Sequence, residues 1–146
     1  MRRLAKLTLI LLSFVFLGMQ FVSTAATPRT SAPTGVHRGE VMDPQVSAIL
    51  VRSCQDCHSN HTNWPWYSQV APISWIISKH VSKGREMLDF SAWADRPPSE
   101  GERMLICDAV SSGDMPLTSY KMIHRQAKLS AQDVRLICDW AAASTH

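Results

Sequence analysis

The stretch Cys54-Gln55-Asp56-Cys57-His58 decides the fold of this 146-residue chain, because the other sequence signals are arranged around it. Its two cysteines are three positions apart, so both thiols can lie on one side of a helical turn. Each thiol can add to one of the two vinyl groups of a porphyrin, and His58 then lies beneath the iron as an axial ligand. The motif therefore predicts one covalently attached haem c.

Three other interpretations of the motif need features that the sequence lacks. A redox-active pair of thioredoxin type follows a strand in a βαβ unit, and no such pattern occurs here. A zinc site needs two further ligands in paired spacing, whereas Cys107 and Cys138 each stand alone. A disulfide between Cys54 and Cys57 would close too small a loop to add much stability. Each of the three would also have to explain His58.

Residues 1–25 have the layout of an export signal. Basic residues at positions 2, 3 and 6 precede an apolar run, and small residues follow it. This order is typical of a secretory signal peptide, so we expect cleavage after Ala25 or Ala26 and a soluble periplasmic protein. The alternative is an uncleaved inner-membrane anchor. Cleavage is preferred because the apolar run falls short of the roughly 20 residues that a spanning helix needs.

Residues 26–42 are predicted to form a flexible linker, since they are rich in Thr, Ser, Pro, Gly and Arg and contain few large apolar side chains. Residues 43–146 then form one haem-binding domain with a modest core. The chain carries 15 basic and 12 acidic residues, and three of the basic ones lie in the leader. The mature chain would be formally neutral, which does not favour a nucleic-acid partner.

Helical periodicity and capping signals predict an all-α domain without strands. Helix starts are indicated by Asp43 before a proline, by Pro72, and by capping boxes at Ser99 and Ser130. The helix that starts near Pro72 is expected to end at Gly84. Two helices are each expected to bury a stripe of apolar side chains. These stripes are Ile73, Ile76, Ile77 and Val81 in one helix and Met104, Leu105, Ala109 and Val110 in the next.

Met115 is the predicted ligand for the second face of the iron. A thioether is a soft ligand suited to ferrous iron, and a His/Met pair raises the reduction potential relative to two imidazoles. Gly113 releases the chain from the preceding helix, and Pro116 stiffens the loop that would present the sulfur. His80 and His124 remain alternatives, although a histidine on a helix is more often a hydrogen-bonded polar residue than a ligand.

Three further residues are site candidates. Arg85 follows Gly84, where its guanidinium could fork onto a haem propionate or simply complement the helix dipole. Cys107 and Cys138 fall in two helices of one small domain, and an oxidising compartment favours pairing of two remaining thiols. We therefore predict a disulfide between them, with two buried free thiols as the alternative.

A longer pattern surrounds the attachment motif. It consists of Cys54-x-x-Cys57-His58-Ser59-Asn60-x-Thr62-x-Trp64-Pro65-Trp66-Tyr67-Ser68, Ala71-Pro72-x-Ser74-Trp75, Val81-x-x-Gly84-Arg85, Phe90-Ser91-x-Trp93, Gly113-x-Met115-Pro116, Tyr120 and His124. This pattern resembles the haem-binding domain family of c-type cytochromes from bacterial envelopes. The resemblance implies a small cytochrome c-like helical domain wrapped around one covalent haem, with Met115 where the family has a methionine before proline. Asp89, Cys107 and Cys138 depart from the family pattern.

The first functional interpretation is a periplasmic carrier of single electrons. Both axial positions of its iron would be filled, and an exposed haem edge would dock transiently on redox protein partners. The alternative is a haem enzyme or gas sensor, peroxidase-like for example, with an open or exchangeable sixth position. A third is an assembly factor that carries haem without turnover. Membrane contact is expected only if the leader is retained.

Overall fold

The computed structural model describes residues 1–23 and 42–143. The predicted linker, apart from Met42, and the predicted cleavage sites lie outside these residues. The described parts contain no strand, so the predicted all-α class is confirmed. The α-helices are α1 (Arg2–Ser23), α2 (Pro44–Ser53), α3 (Gln55–His58), α4 (Ile73–Met87), α5 (Glu100–Ser111), α6 (Thr118–Ile123) and α7 (Ala131–Ala142). Short 3₁₀ turns are formed by Trp66–Gln69, Phe90–Ala94 and Arg125–Ala127.

Polar caps start three helices where the sequence predicts them. The Asp43 carboxylate accepts a hydrogen bond from the Gln45 amide at 2.7 Å, and Pro44 is the first residue of α2. Ser99 and Ser130 each form a capping box with the acidic residue three positions later. These caps satisfy N–H groups that a helix start otherwise leaves without partners. The starts of α2, α5 and α7 are therefore confirmed.

α4 is longer than predicted, because Gly84 lies within it instead of ending it. The helix continues to Met87, and the Leu88 amide still bonds to the Gly84 carbonyl oxygen. A Cβ atom on Gly84 would lie 2.6 Å from the backbone oxygen of Cys57, which is closer than real Cβ atoms approach. Glycine is required here for the contact between α4 and the attachment motif, and not for a helix end.

α4 fully buries only Val81 of the apolar stripe predicted for it, and Val81 is 4% exposed. Its buried residues are Ser74, Val81 and Gly84. Ile73 and Ile76, which were expected to lie in the core, are 45% and 53% exposed. The prediction is wrong for these two isoleucines, because small side chains are needed on the face that lies against the motif. The apolar residues of α4 are thus partly turned outward.

α5 turns most of its predicted apolar stripe inward. Its buried residues are Arg103, Ile106 and Val110, and Leu105 and Ala109 line the cavity between α4 and α5. Met104 is 39% exposed and lies outside that lining, so the inward orientation predicted for Met104 is wrong. The buried face is set by packing against α7, the most extensive contact between helices among the described residues.

The core lies between α2, α5, α7 and the Phe90–Ala94 turn. Within it, the rings of Phe90 and Trp93 are stacked with their centroids 4.5 Å apart, a favourable aromatic arrangement. Cys107 and Cys138 form a disulfide that joins α5 to α7, with their Cα atoms 4.9 Å apart. α2 ends directly at Cys54, so the core fixes the position from which the attachment motif extends.

α1 is the one described helix that is long and apolar enough to cross a membrane. Its qualifying stretch, Arg2–Val22, has a mean hydropathy of 1.9, and none of it is buried. A secretory signal peptide passes the same test of length and hydropathy, so α1 is compatible both with a cleaved signal peptide and with a membrane anchor.

Candidate functional site

A cavity of about 310 Å³ lies between the attachment motif, α4, α5 and the loop that follows α5. This volume is in the range of small-molecule and cofactor sites. The motif contributes Cys54, Cys57 and His58 to its lining, and the loop contributes Met115 and Pro116. The structure therefore brings together the four residues that the sequence assigned to haem attachment and iron ligation.

His58 is held in one tautomer by a backbone carbonyl group. Its Nδ1 atom lies 3.0 Å from the carbonyl oxygen of Leu88. A carbonyl oxygen can only accept a hydrogen bond, so Nδ1 carries the proton and Nε2 keeps its lone pair. The ring also stacks on Phe90 at a centroid distance of 5.7 Å. This is the support that a metal-ligating histidine needs to present Nε2 in a fixed orientation.

Cys54 and Cys57 are partly buried and are not disulfide-bonded. Burial raises the pKa of Cys54 to about 12, with a further rise from the neighbouring Cys57. Burial likewise raises the pKa of Cys57 to about 11, assisted by the charge of Asp56. Both thiols are therefore neutral at pH 7. A thioredoxin-type pair works through a thiolate, so this environment argues against that interpretation. Among the described residues, no group of three or more His, Cys, Asp or Glu side chains could hold a metal ion, which argues against a zinc site.

Arg85 holds the chain segment that follows the motif. Its Nε atom donates to the Ser59 carbonyl oxygen at 2.9 Å, and its Nη2 atom donates to the Thr62 hydroxyl oxygen at 2.9 Å. Thr62 in turn donates to the Asp56 carbonyl oxygen at 2.6 Å. Arg85 is absent from the lining of the cavity. Its contact with a haem propionate stays a prediction, and its observed role is to position the loop.

A polar network that sequence reasoning missed extends from the motif itself. The Tyr120 hydroxyl donates to the Asp56 carboxylate at 2.6 Å, and the Tyr120 ring stacks on His124 at 4.3 Å. His124 Nε2 and the Tyr67 hydroxyl form a further hydrogen bond of 2.6 Å. Burial, and then the bond to Asp56, raise the pKa of Tyr120. Tyr67, Tyr120 and His124 all belong to the sequence pattern that resembles the family. That pattern was the signal from which this network could have been predicted.

The loop after α5 presents Met115 to the cavity. Gly113 has a φ of +80°, a left-handed conformation that glycine adopts without strain. The Met115 amide then donates to the Ala109 carbonyl oxygen at 3.0 Å, and Pro116 is buried. The predicted release of the chain at Gly113 is thus present in the structure. The ligation of iron by Met115 stays a prediction.

The cavity opens along α4. His80, Lys83 and Met87 line it and are exposed to solvent, and Met87 is 69% exposed. Of the two histidines considered as alternatives to Met115, His80 therefore reaches the cavity, whereas His124 is outside its lining. Sequence reasoning missed Lys83, because a lysine on a helix is usually a solvated surface residue.

These donors fit an iron porphyrin, since two neutral thiols, an oriented imidazole and a thioether line one largely apolar cavity. The sequence pattern described as "Haem-binding domain" matches residues 14–143. The chain belongs to the haem-binding domain family. The resemblance stated from the sequence is confirmed, and the family supports haem as the cofactor. No curated protein and no solved structure matches the chain.

Proposed function

We propose that this haem-binding protein is an exported monohaem c-type cytochrome that carries single electrons. One observation supports this above all: Cys54, Cys57, His58 and Met115 line the same cavity. Haem, when bound, supplies a one-electron iron couple. The basic residues at the start of α1, followed by its apolar stretch, support export to the periplasm.

Each of the four residues has a separate role in this proposal. Cys54 and Cys57 hold the porphyrin covalently through thioether bonds, which neutral thiols facing the cavity can form. His58 binds the iron through Nε2, because its Nδ1 proton is committed to the Leu88 carbonyl oxygen. Met115 binds the other face of the iron through its sulfur.

A pair of protein ligands on the iron favours electron transfer over catalysis. If His58 and Met115 both bound the iron of a haem held there, no ligand position would be left for a substrate, and only electrons would need to pass. The cavity is open along α4, so one edge of a bound haem would remain accessible there. Redox protein partners would dock there weakly and transiently, as electron-transfer partners do.

The optical spectrum of the purified ferric and ferrous protein tests this proposal. The wild type should show a low-spin spectrum with the weak red band of methionine–ferric ligation, and Met115→Ala should lose that band. Met104→Ala is the matched control, because Met104 is on the surface of α5 and outside the cavity lining. A wild-type spectrum that is high-spin and shifts with carbon monoxide would contradict the carrier function.

A haem enzyme or gas sensor with an exchangeable sixth ligand is the second candidate. The observation in its favour is that His80 and Lys83 line the open side of the cavity, where a polar group could serve a bound small molecule. Cyanide titration of the ferric wild type distinguishes the two. Rapid binding that is altered in His80→Ala supports the second candidate, and resistance to cyanide supports the first.

A further inference from the structure

Four large apolar side chains lie exposed near the start of α4 and on the turn that packs against it. They are Trp66, Ile73, Trp75 and Ile76, with exposed fractions of 76%, 45%, 37% and 53%, and are called the Trp66–Ile76 patch below. The turn that carries Trp66 packs against α4, which carries the other three. None of the four lines the cavity, so a cofactor there would not cover them. Clustered exposed apolar side chains of this kind mark an interaction surface.

α1 meets the domain next to this patch. The Gln20 side-chain amide donates to the Ala71 carbonyl oxygen at 3.4 Å and accepts a hydrogen bond from the Ala71 amide at 3.1 Å. Ala71 is 1% exposed and lies between the Trp66–Gln69 turn and α4. From Arg2 to Val22, every side chain except those of Met19 and Gln20 is exposed. The apolar helix thus touches the domain near its C-terminal end, and most of its surface is exposed.

The length and charges of α1 suit a membrane span. The apolar run alone is shorter than a full span, but the whole helix of 22 residues extends about 33 Å at 1.5 Å per residue, against a bilayer core of about 30 Å. Its long basic side chains can reach the headgroup layer from the helix end. It has no acidic residue, and its basic residues, Arg2, Arg3 and Lys6, are all at the N-terminal end. Basic residues stay on the cytoplasmic side, so the Gln20 end and the domain would lie on the opposite side.

The charge around the patch complements an anionic lipid surface. No aspartate or glutamate occurs from Cys57 to Arg85, whereas Lys79 and Lys83 on α4 are basic and exposed. Basic residues beside exposed apolar side chains are typical of surfaces that rest on anionic bilayers. Tryptophan is also enriched at the level of the lipid headgroups.

We infer that α1 is retained as a membrane anchor and that the Trp66–Ile76 patch rests on the headgroup layer where α1 leaves the bilayer. The paired hydrogen bonds between Gln20 and Ala71 hold the patch beside the emerging helix, so the patch faces lipid. The family match begins at residue 14 and includes the C-terminal part of α1, which supports α1 as part of the domain. This inference replaces the expected cleavage after Ala25 or Ala26, and it does not depend on which residue ligates the iron.

Retention of α1 is tested on the full chain produced in a bacterial host that matures c-type cytochromes. Membranes are washed with alkaline carbonate, and the intact mass of the retained protein is measured. The inference predicts a carbonate-resistant protein with the mass of all 146 residues plus one haem. A soluble protein that begins after Ala25 or Ala26 would overturn it.

Lipid contact is tested with a photoreactive benzophenone amino acid placed at Ile76 in the full-length protein. The matched control carries the same group at Ile123, which is 63% exposed on α6. Both proteins are reconstituted into vesicles of equal parts phosphatidylcholine and phosphatidylglycerol and irradiated. Position 76 should form lipid adducts in several-fold higher yield than position 123. Equal yields, or adducts from position 76 to a second copy of the chain, would overturn the inference.

The hydrogen bonds of Gln20 are tested in the same assay. Gln20→Ala should reduce the yield of lipid adducts from position 76 several-fold, while α1 stays carbonate-resistant. Ser13→Ala is the control, because the Ser13 hydroxyl bonds to the Leu9 carbonyl oxygen within α1, and it should leave the yield unchanged. An unchanged yield in Gln20→Ala would contradict the tether on which the orientation of the patch depends.

Discussion

The chain contains two pairs of cysteines with the same chemistry and different outcomes. Cys54 and Cys57 are three positions apart, face the cavity and remain thiols. Cys107 and Cys138 are 31 positions apart and form a disulfide between α5 and α7. Because thiol–disulfide exchange proceeds through the thiolate, the raised pKa of the first pair protects it from oxidation. Surroundings, more than residue type, decide whether a cysteine pair serves a cofactor or a crosslink.

The two cysteine pairs should differ most in their effect on the covalent attachment of haem. Cys54→Ala with Cys57→Ala should abolish covalent attachment, because no other thiols line the cavity. Cys107→Ala with Cys138→Ala should retain it. Acid–acetone extraction followed by intact mass measurement checks both. Haem that resists extraction in the first variant would refute the role of the motif.

The Cys107 and Cys138 pair should instead affect the free energy of unfolding. Cys107→Ala with Cys138→Ala should lower the free energy of unfolding by about 3.7 kcal/mol, the loop-entropy estimate for a sequence separation of 31. Denaturant titration measures the change. A reductant should destabilise the wild type by a similar amount and leave the variant unaffected; equal sensitivity of both proteins would contradict the prediction.

Gly84→Ala should disturb the contact between α4 and Cys57, which positions the Cys54 and Cys57 pair. The added Cβ would lie 2.6 Å from the Cys57 backbone oxygen, so α4 must move, at a cost of about 1–3 kcal/mol in unfolding free energy. The yield of covalent haem should fall with it. Gly101→Ala is the control, because nothing lies within 4 Å of its Cβ position, and it should raise stability by up to about 1 kcal/mol. Equal effects would contradict this account of Gly84.

Tyr120→Phe should have the smallest effect, since it removes one hydrogen bond to the motif residue Asp56. A loss of about 1–2 kcal/mol in unfolding free energy is expected at neutral pH. Because the pKa of Tyr120 is raised in the folded protein, the native state keeps a proton that the unfolded chain releases above about pH 10. Stability from this group is therefore full below that pH and is lost as the pH rises further.

Denaturant titrations between neutral pH and pH 11 measure this alkaline loss. The fall in stability should be less steep in Tyr120→Phe than in the wild type. Tyr67→Phe is the comparison, because its hydroxyl bonds to His124 rather than to the motif. An identical slope in Tyr120→Phe and the wild type would show that Tyr120 does not contribute.

Local signals were sufficient for the helix starts and for the attachment motif. A capping box such as Ser99 with Glu102 acts within one turn, so its consequence is visible in the sequence. The buried faces of α4 and α5 could not be read in the same way. Arg103 is only 5% exposed, although a charged side chain is ordinarily assigned to the surface.

The family pattern, the all-α class, the cysteine and histidine spacing and the apolar leader can all be read from the sequence, because each depends on neighbouring residues. The folded structure was needed to show that Met115 shares a cavity with Cys54 and His58, that His58 presents Nε2, and that Ile73 and Ile76 face outward. These depend on contacts between residues far apart in the chain, which helix periodicity does not encode. The contact between Gln20 and Ala71 is likewise a contact between residues far apart in the chain. It is the basis for proposing that the leader is retained as an anchor, although the sequence led us to expect its removal.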